Sequence, residues 1–304
     1  MVAILVAGAC ALAWAFVVEP QRLVLRQVEL PLPALSEAHD GLRVAVLTDL
    51  HVGSPFHGVQ KLQRIVEATN GLRPDLVLIL GDLVIHGVLG GRFVPPEDVA
   101  AELEKLRSTY GLYAVLGNHD WWFDGARVQA ALQEAGAVLL EDTATVVAPN
   151  GRPLWLAGVS DFRERPHDVH RALASVPETD PVIVLTHNPD VFPDVPNRVT
   201  LTVAGHTHGG QVDLPLIGRP IVPSRYGQRF AAGHIVESGR HLFVATGSGT
   251  SILPVRFRVP PEVLLLVLRR LESSPEAATT ERASANGRFE PDGLRRPGHR
   301  LSVD

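Results

Sequence analysis

The sequence predicts an α/β domain, because short apolar runs alternate with segments of helical periodicity along most of its 304 residues. Seven such runs, rich in β-branched residues, each lead into a polar or glycine-containing turn: 44–47, 76–80, 112–116, 154–157, 182–185, 201–204 and 242–245. A continuous apolar run of this length is typical of a strand that is buried on both faces. Strand, polar turn and helix in alternation are the pattern of an α/β domain.

Four segments between the runs are predicted as helices. Val59–Asn70 shows apolar residues at helical spacing, and Gly71 is its expected C-cap. Helices are also predicted over 97–110, 125–135 and 169–176, and a last strand over 263–268. Because 45% of the residues are hydrophobic and 20% are charged, the chain has enough apolar material for a sizeable core.

The chain starts with an uninterrupted apolar run, Val2–Val18, which ends at Glu19. Its length is at the short end of the roughly 17–25 residues that span a bilayer. No positively charged n-region precedes the run, as it would in a secretory signal peptide. We therefore expect a membrane anchor over residues 1–20, with a cleaved signal and a buried helix as the alternatives. Arg22 and Arg26 favour a cytoplasmic position for the rest of the chain, although the orientation stays open.

The other boundaries follow from composition. A connector is expected over residues 21–40, which contain Pro31 and Pro33, and a globular domain over residues 41–271. Residues 272–304 are rich in Ser, Ala, Pro, Gly and Arg and contain few large apolar residues. Such a segment cannot bury enough surface to offset its chain entropy, so we expect a disordered tail.

Charge and cysteine content exclude two classes of function. The net charge of −5 indicates no basic surface for a phosphate backbone, so no nucleic-acid partner is expected. The single cysteine, Cys10, excludes an intrachain disulfide and a cysteine-rich zinc module. The sequence leaves the oligomeric state open.

Five polar clusters follow the predicted strands, at the sheet edge where α/β domains bind ligands. They are Asp49-Leu50-His51, Gly81-Asp82, Gly117-Asn118-His119-Asp120, Thr186-His187-Asn188 and Gly205-His206-Thr207-His208. Taken singly, each cluster is most often an ordinary turn or a hydrogen-bonded polar group at the end of a strand. The functional interpretation depends on their combination.

Together the clusters predict a pair of metal ions. Alternate residues of an extended chain point the same way, so Asp49 and His51 can bind one ion together. Asp82 has two carboxylate oxygens and can bridge two ions. Mixed nitrogen and oxygen ligands suit Mn, Fe or Zn, and two ions roughly 3.5–4 Å apart clamp a phosphate. The predicted ligands are Asp49, His51, Asp82, Asn118, His187, His206 and His208.

Three of the clusters place a glycine directly before a predicted ligand: Gly81, Gly117 and Gly205. A glycine lets a turning backbone approach a metal ion closely, because it has no Cβ. Ordinary glycine turns are the alternative, but they do not explain why a ligand-type side chain follows each of the three.

The five clusters resemble the five-block signature of the calcineurin-like metallophosphoesterases, in order, within Arg43–Gly249. The resemblance implies a two-sheet sandwich flanked by helices, with four α/β/β/α layers. It implies a first metal ion on Asp49, His51, Asp82 and His208. It implies a second metal ion on Asp82, Asn118, His187 and His206. A hydroxide shared between the two divalent ions would then attack phosphorus, without a phosphorylated enzyme intermediate.

The same resemblance implies catalytic roles beside the metal ligands. His119 would stabilise the transition state and protonate the leaving oxygen. Asp120 would either orient His119 or cap the turn that follows. Trp121 and Trp122 either pack in the interior or line the pocket. The candidate phosphate contacts are His57, His86, Arg163, Arg165, Arg225 and Arg256.

Later motifs resemble one branch of the family, the membrane-associated bacterial phosphodiesterases, some of which hydrolyse UDP-2,3-diacylglucosamine. The motifs are His206-Thr207-His208-Gly209-Gly210-Gln211, Tyr226-Gly227, Thr246-Gly247-Ser248-Gly249-Thr250-Ser251 and Pro254-Val255-Arg256. We expect a phosphodiesterase at the bacterial inner membrane, bound through residues 2–18, with a lipid-linked or nucleotide-linked phosphoester as substrate. The alternatives are a phosphatase or cyclic-nucleotide phosphodiesterase for soluble substrates, and a catalytically inactive scaffold.

Overall fold

The computed structural model describes residues 1–271, so the predicted tail over residues 272–304 lies outside the described part. The strands are β1 (Val24–Leu32), β2 (Arg43–Leu47), β3 (Leu76–Ile79), β4 (Leu112–Ala114), β5 (Val138–Leu139), β6 (Thr143–Val147), β7 (Leu154–Val159), β8 (Val182–Thr186), β9 (Leu201–Ala204), β10 (Gly233–Glu237), β11 (Arg240–Val244) and β12 (Glu262–Arg270). The helices are α1 (Val2–Ala13), α2 (Val59–Gly71), α3 (Pro96–Leu103), α4 (Asn118–Glu134) and α5 (Val169–Leu173).

The strands form two mixed six-stranded sheets. The first sheet has the order β1-β12-β2-β3-β4-β5, and the second has the order β10-β11-β9-β8-β7-β6. Strands β2, β3 and β4 run parallel to one another, as do β7, β8, β9 and β11. The carboxyl ends of the central strands of each sheet therefore meet at one edge, which is where the polar clusters lie.

Three apolar clusters hold four layers together. The central cluster contains inward-facing residues of both sheets, such as Val44 and Ile183. A second cluster packs α2, α3 and α4 against the outer face of the first sheet, through residues such as Ala45. A third cluster packs α5 and the segment Pro189–Asp194 against the second sheet. The four-layer α/β/β/α fold is confirmed, and its central strands are buried on both faces, as their continuous apolar runs predict.

The segment predicted as a connector contains a strand of the first sheet. β1 pairs in parallel with β12 over its whole length, and Pro31 lies opposite Arg269. β1 is the edge strand, where a proline that cannot donate a hydrogen bond is tolerated because one side of the strand has no partner. Its prolines and half-exposed residues interrupt the apolar pattern, so the sequence does not predict this strand.

The N-terminal apolar run is helical. No side chain of α1 is buried, and the helix continues through a π-helical turn, Trp14–Val18, and a 3-10 turn, Glu19–Gln21. Together these residues form one helical segment, Val2–Gln21, that is long and apolar enough to cross a membrane, with a mean hydropathy of 2.2.

The helices differ from their predicted bounds in ways that matter for the site. α3 ends at Leu103 rather than near residue 110, and α5 ends at Leu173. α4 begins earlier than predicted, at Asn118, and bends at Asp124, where the backbone is extended (φ −170°, ψ 88°). The predicted ligand Asn118 and the predicted acid His119 therefore form the first turn of a helix.

Candidate metal centre

All seven predicted ligands are buried just after five central strands, six of them in loops and Asn118 at the start of α4. Asp49 and His51 follow β2, Asp82 follows β3, and Asn118 follows β4 in the first sheet. The second sheet contributes the other three after β8 and β9: His187, His206 and His208. None of the seven is more than 6% exposed. Each sheet thus supplies one half of a cluster of ligand-type side chains.

One group of ligand-type atoms is formed by Asp49, His51 and His208. The Nε2 atom of His208 lies 3.2 Å from Asp49 Oδ1 and 3.1 Å from His51 Nε2. All three ligand-type atoms lie within 4.8 Å of one another. This spacing lets a single cation contact all three side chains.

A second group is formed by Asp82, His187 and His206. His187 Nε2 lies 3.3 Å from Asp82 Oδ2 and 3.0 Å from His206 Nδ1. Asp82 Oδ2 also lies 3.5 Å from the Nε2 atom of His51, which belongs to the first group. The Asp82 carboxylate therefore lies between the two groups, in the position that a bridging ligand needs.

The donor atoms fit divalent cations. Within the described chain, Asp49 Oδ1, Asn118 Oδ1 and His206 Nε2 are buried and have no hydrogen-bond partner. Buried polar atoms are nearly always hydrogen-bonded, so three unpartnered atoms in one place point to a ligand. A set of imidazole, carboxylate and amide donors suits Mn, Fe or Zn.

Backbone carbonyls orient two of the imidazoles. The Nδ1–H of His187 donates to Leu80 O at 2.7 Å, and that of His51 donates to Val84 O at 3.1 Å. A carbonyl only accepts, so each bond places a proton on Nδ1 and leaves Nε2 as the atom that would bind a cation. This second hydrogen bond is typical of metal-binding histidines.

Five of the predicted ligands have a left-handed backbone conformation. The φ angles are 49° at Asp49, 41° at His51, 56° at Asp82, 68° at His206 and 50° at His208. Few residues other than glycine adopt this region, and each case costs on the order of 1–3 kcal/mol. Such strain persists only where the surrounding structure enforces it, and it concentrates at functional sites.

Asp120 holds the turn that carries Asp82. Its Oδ2 accepts from the backbone N–H of Asp82 at 2.8 Å and of Gly117 at 3.0 Å, and its Oδ1 accepts from Leu83 at 2.9 Å. Burial and the neighbouring Asp82 carboxylate raise the pKa of Asp120 to about 7, although the backbone donors oppose the shift. Among the described residues these bonds go to the backbone of Gly117 and of the turn that carries Asp82, and none goes to His119 or to the turn that follows Asp120.

His119 belongs to neither of these two groups, although one of its ring nitrogens also lies within 4.8 Å of ligand-type atoms of His51 and Asp82. Its ring centroid is 4.6 Å from that of His51, and its backbone N–H donates to Asp82 Oδ1 at 2.9 Å. Burial lowers the pKa of His119, so the free imidazole is neutral near pH 7. Its Nδ1 is buried without a partner among the described residues.

Burial and mutual repulsion perturb the ionisation of the cluster. Burial raises the pKa of Asp49 to about 6, and burial lowers the pKa of His51 to about 3. Burial also disfavours the cationic form of His187, but the carboxylates of Asp82 and Asp49 outweigh it and raise its pKa to about 10. The closely spaced carboxylates thus stabilise a positive charge between them. A divalent cation carries more positive charge than a single proton and would be stabilised more.

A cavity of about 220 Å³ opens onto the cluster. Its walls include His86, His119, Trp122 and Arg163, and its mouth is lined by the apolar side chains of Ile221 and Ile252. A larger concavity of about 550 Å³ lies elsewhere, beside Ser36 and Arg152. We assign the functional site to the smaller cavity, because four predicted ligands, Asp82, Asn118, His206 and His208, line that cavity and none lines the larger one.

The candidate phosphate contacts and the two tryptophans divide into those that line the cavity and those that do not. His86, Arg163 and Trp122 reach the cavity. The remainder lie outside it. Trp121, on α4, packs against the apolar cluster on the outer face of the first sheet. Arg165 and Arg225 lie over the rings of Trp121 and Phe162, at 4.6 and 4.4 Å. His57 and Arg256 are buried and do not line the cavity.

Two residues of the site escaped the sequence interpretation. Thr48 Oγ1 donates to Asp49 Oδ2 at 2.8 Å and helps to fix that carboxylate. Asp161 is fully buried, and its charge acts on His187. The Thr48-Asp49 sequence is a local signal that could have identified the first residue. Asp161 follows no predicted strand directly, so only the fold identifies it.

Comparison with known proteins agrees with this geometry. The profile of the family described as calcineurin-like phosphoesterase matches residues 42–210. Phosphodiesterase YaeI of Escherichia coli is 32% identical over 74% of this chain and 82% of its own length. The uncharacterized metallophosphoesterase YkuE of Bacillus subtilis is 27% identical over 83% of this chain and 87% of its own length.

A relative from Danio rerio, named transmembrane protein with metallophosphoesterase domain, is 30% identical over 83% of this chain, which spans 58% of that relative. The family profile covers more than half of the 304 residues and includes all seven predicted ligands. The chain belongs to the calcineurin-like phosphoesterase family.

Proposed function

We propose that this chain hydrolyses a phosphodiester or pyrophosphate bond at a pair of divalent metal ions. Membership of the family makes it a metal-dependent phosphoric ester hydrolase. The observation that carries the dinuclear proposal is the position of Asp82, whose Oδ2 lies 3.5 Å from His51 Nε2 and 3.3 Å from His187 Nε2. A carboxylate between two groups of ligands is the arrangement that two ions would share.

The chain's own residues would orient the reaction at phosphorus. When bound, the ions supply a hydroxide nucleophile and neutralise charge on the phosphate. Arg163 lines the cavity and can contact a non-bridging phosphate oxygen. His119 can hold the proton that the leaving oxygen receives, because a bound phosphate anion favours the protonated imidazole over the neutral form.

We further propose a membrane-associated role with a lipid-linked or nucleotide-linked substrate. Support comes from the apolar helical segment Val2–Gln21 and from relatives that are named transmembrane proteins. The name of the Escherichia coli relative supports diester rather than monoester cleavage. The bacterial inner membrane is the location that we propose.

The reaction can be tested with the full-length protein in detergent, bis-p-nitrophenyl phosphate and Mn²⁺. We expect Asp82→Asn to lower turnover by at least ~100-fold, because loss even of a residue behind a metal ligand commonly costs 10–100-fold. Metal content, measured by mass spectrometry, should fall in the same variant. The matched control is Asp194→Asn, at an exposed carboxylate outside the cavity, which should keep both properties. Full turnover of Asp82→Asn would contradict the proposal.

The substrate class needs a separate experiment. The full-length protein is incubated with UDP-2,3-diacylglucosamine in vesicles and, in parallel, with a set of nucleotides and cyclic nucleotides. We expect cleavage of the diacylated substrate, because the apolar helix would hold the site beside the bilayer. Cleavage of soluble nucleotides alone would instead support the soluble-substrate alternative, and inertness towards all substrates together with Mn²⁺ binding would support a scaffold.

A further inference from the structure

Six large apolar side chains are exposed at the mouth of the cavity or on chain segments next to it, and we call them the apolar rim: Leu89, Leu216, Ile217, Ile221, Ile252 and Leu253. Ile221 and Ile252 line the cavity itself. Their exposed fractions are 76% and 70%, and that of Leu216, at the tip of its turn, is 108%. Clustered exposed apolar residues of this kind mark an interaction surface, whereas single ones are ordinary.

Hydrogen bonds join the segments that carry the apolar rim. The backbone N–H of Leu89 donates to Ile252 O at 3.0 Å. Gln211 Nε2 donates to Leu253 O at 3.3 Å. The turn that carries Leu216 is closed by bonds between Leu214 and Gly218. The backbone N–H of Asp213, just before that turn, donates to Phe257 O at 2.9 Å, so the segments that carry Leu89 and Leu216 are both hydrogen-bonded to residues 252–257.

The end of the apolar helical segment is fixed beside this surface. The backbone N–H of Arg256 donates to Ala15 O at 2.9 Å. Arg256 is only four residues after Ile252 in the chain, a span of at most about 14 Å. Lys61 Nζ donates to Pro20 O at 2.7 Å, and Glu19 is 2% exposed. The helical segment thus enters the domain through a packed, hydrogen-bonded junction close to the mouth of the cavity.

We propose that the apolar rim docks on the headgroup and acyl boundary of the lipid bilayer that receives α1. Its side chains would enter that layer, as the apolar faces of interfacial elements do to a depth of roughly 5–10 Å. The cavity mouth would then open onto the bilayer surface, so that an amphiphilic phosphoester reaches the metal centre without crossing water. This inference rests on the proposed function for the chemistry at phosphorus.

Two observations favour a bilayer over a protein partner. The surface continues into α1, whose side chains are all unburied and almost all apolar. Arg92 and Arg258 are exposed on segments next to the apolar rim, and cations at this position suit anionic headgroups. Other exposed apolar residues, such as Val138 and Val146, lie on β5 and β6, the edge strands farthest from β1 and β10 in their sheets.

The test places spin labels on the full-length protein in phosphatidylglycerol and phosphatidylcholine vesicles. In a Cys10→Ser background, single labels are attached at Ile217→Cys or Leu253→Cys on the apolar rim. Matched control labels are attached at Val138→Cys or Val146→Cys. Collision with oxygen, which partitions into lipid, is compared with collision with a water-soluble nickel chelate.

We expect the oxygen collision rate to be at least about twofold higher for labels on the apolar rim than for the control labels. The nickel collision rate should be at least about twofold lower on the apolar rim, as burial in the interfacial layer requires. Equal accessibility at all four positions would overturn the proposal. So would protection that depends on protein concentration, because it would indicate a second copy of the chain. Turnover of bis-p-nitrophenyl phosphate in each labelled variant reports separately on the proposed hydrolase function.

Discussion

The backbone conformation of individual residues determines much of the geometry of the site. Five predicted ligands have positive φ angles, and each would relax in an isolated peptide. Asp120 opposes this relaxation at Asp82 through its bonds to the turn, and His206 N–H does so at Asp49 by donating to Oδ2 at 2.9 Å. The fold thus stabilises an arrangement of ligands that local preferences disfavour.

His119 is the residue for which leaving-group chemistry gives a specific prediction. His119→Asn should lower turnover by roughly 10²–10⁴ with a diester whose leaving group is a poor one, because that group needs a proton. The loss should be smaller with p-nitrophenol, which leaves as an anion. Turnover across a series of aryl diesters measures this dependence. Metal content should be retained, and an equal loss for every leaving group would exclude the role of proton donor.

At the scale of elements, glycines set how closely the loops after the strands can approach one another. Gly205 follows β9, and a Cβ there would overlap Thr48 Oγ1 and lie 2.6 Å from Asp49 Oδ2. The loops of the two sheets therefore meet at this glycine, on top of a predicted ligand. The sequence pattern of a glycine before a ligand has a direct steric cause at this position.

Gly205→Ala should displace Asp49 and destabilise the protein by about 1–3 kcal/mol, as overpacking of an interior usually does. Metal affinity should fall with it. Thermal unfolding and metal titration of the full-length variant measure both effects. The control is Gly71→Ala at the end of α2, where a Cβ meets no atom within 4 Å. That change should be neutral or stabilising by roughly 0.5–1 kcal/mol, and similar losses in the two variants would refute the steric explanation.

The strands that the sequence predicts lie at the centre of the sheets, and the strands that it does not predict lie at their edges. The four strands without a predicted run are β1, β5, β6 and β10, and they are the edge strands of the two sheets. An edge strand is covered on fewer sides, so polar residues and prolines interrupt its apolar pattern. Central strands are covered on both faces, and their continuous apolar runs identify them.

The ligands of the candidate site and the contacts that orient them also differ in how far the sequence predicts them. Predicted ligands follow central parallel strands, and their convergence follows from the common direction of those strands. The supporting contacts join residues that are distant in sequence. His187 donates to Leu80, which is 107 positions away, and no local pattern records such a pair. The sequence therefore predicts which side chains meet, while the contacts that orient them require the fold.

The junction between α2 and the N-terminal segment gives a prediction about pH. Burial, together with the Arg256 guanidinium, lowers the pKa of Lys61 to about 7, whereas an unfolded lysine titrates near 10.4. Between these values the unfolded chain holds a proton that the folded chain has released, so the free energy of unfolding rises with pH. The cost of the buried charge is fully present below about pH 7.

Relative to Lys61→Met, the wild-type protein should therefore gain stability as pH rises from 7 to 9, by at most about 1.4 kcal/mol per pH unit. Subtraction of the variant removes the contribution of other titrating groups. Thermal unfolding at each pH, followed by tryptophan fluorescence, measures the difference. The control is Lys105→Met, at an exposed ammonium group. A difference between wild type and Lys61→Met that is constant with pH would contradict the assignment.

For the whole molecule, the candidate metal centre lies where the two sheets meet. The first sheet contributes Asp49, His51, Asp82 and Asn118, and the second contributes His187, His206 and His208. Bound ions would thus join the carboxyl-end loops of both sheets, while the central apolar cluster joins the sheets along their faces. In the absence of ions, the buried carboxylates of Asp49 and Asp82 repel each other.

Removal of metal should therefore lower the stability of the whole domain. A ligand present at about 100 times its dissociation constant adds roughly 2.7 kcal/mol to the free energy of unfolding. For a domain of this size that corresponds to about 5–10 °C in Tm. Chelation of the full-length wild type should produce this decrease, and added Mn²⁺ should reverse it. Asp82→Asn should lack most of the response, because its bridging position loses the anionic oxygen. An identical response in the variant would show that the stabilising ions bind elsewhere, and an unchanged Tm in the wild type would show that the sheets need no ion to hold them together.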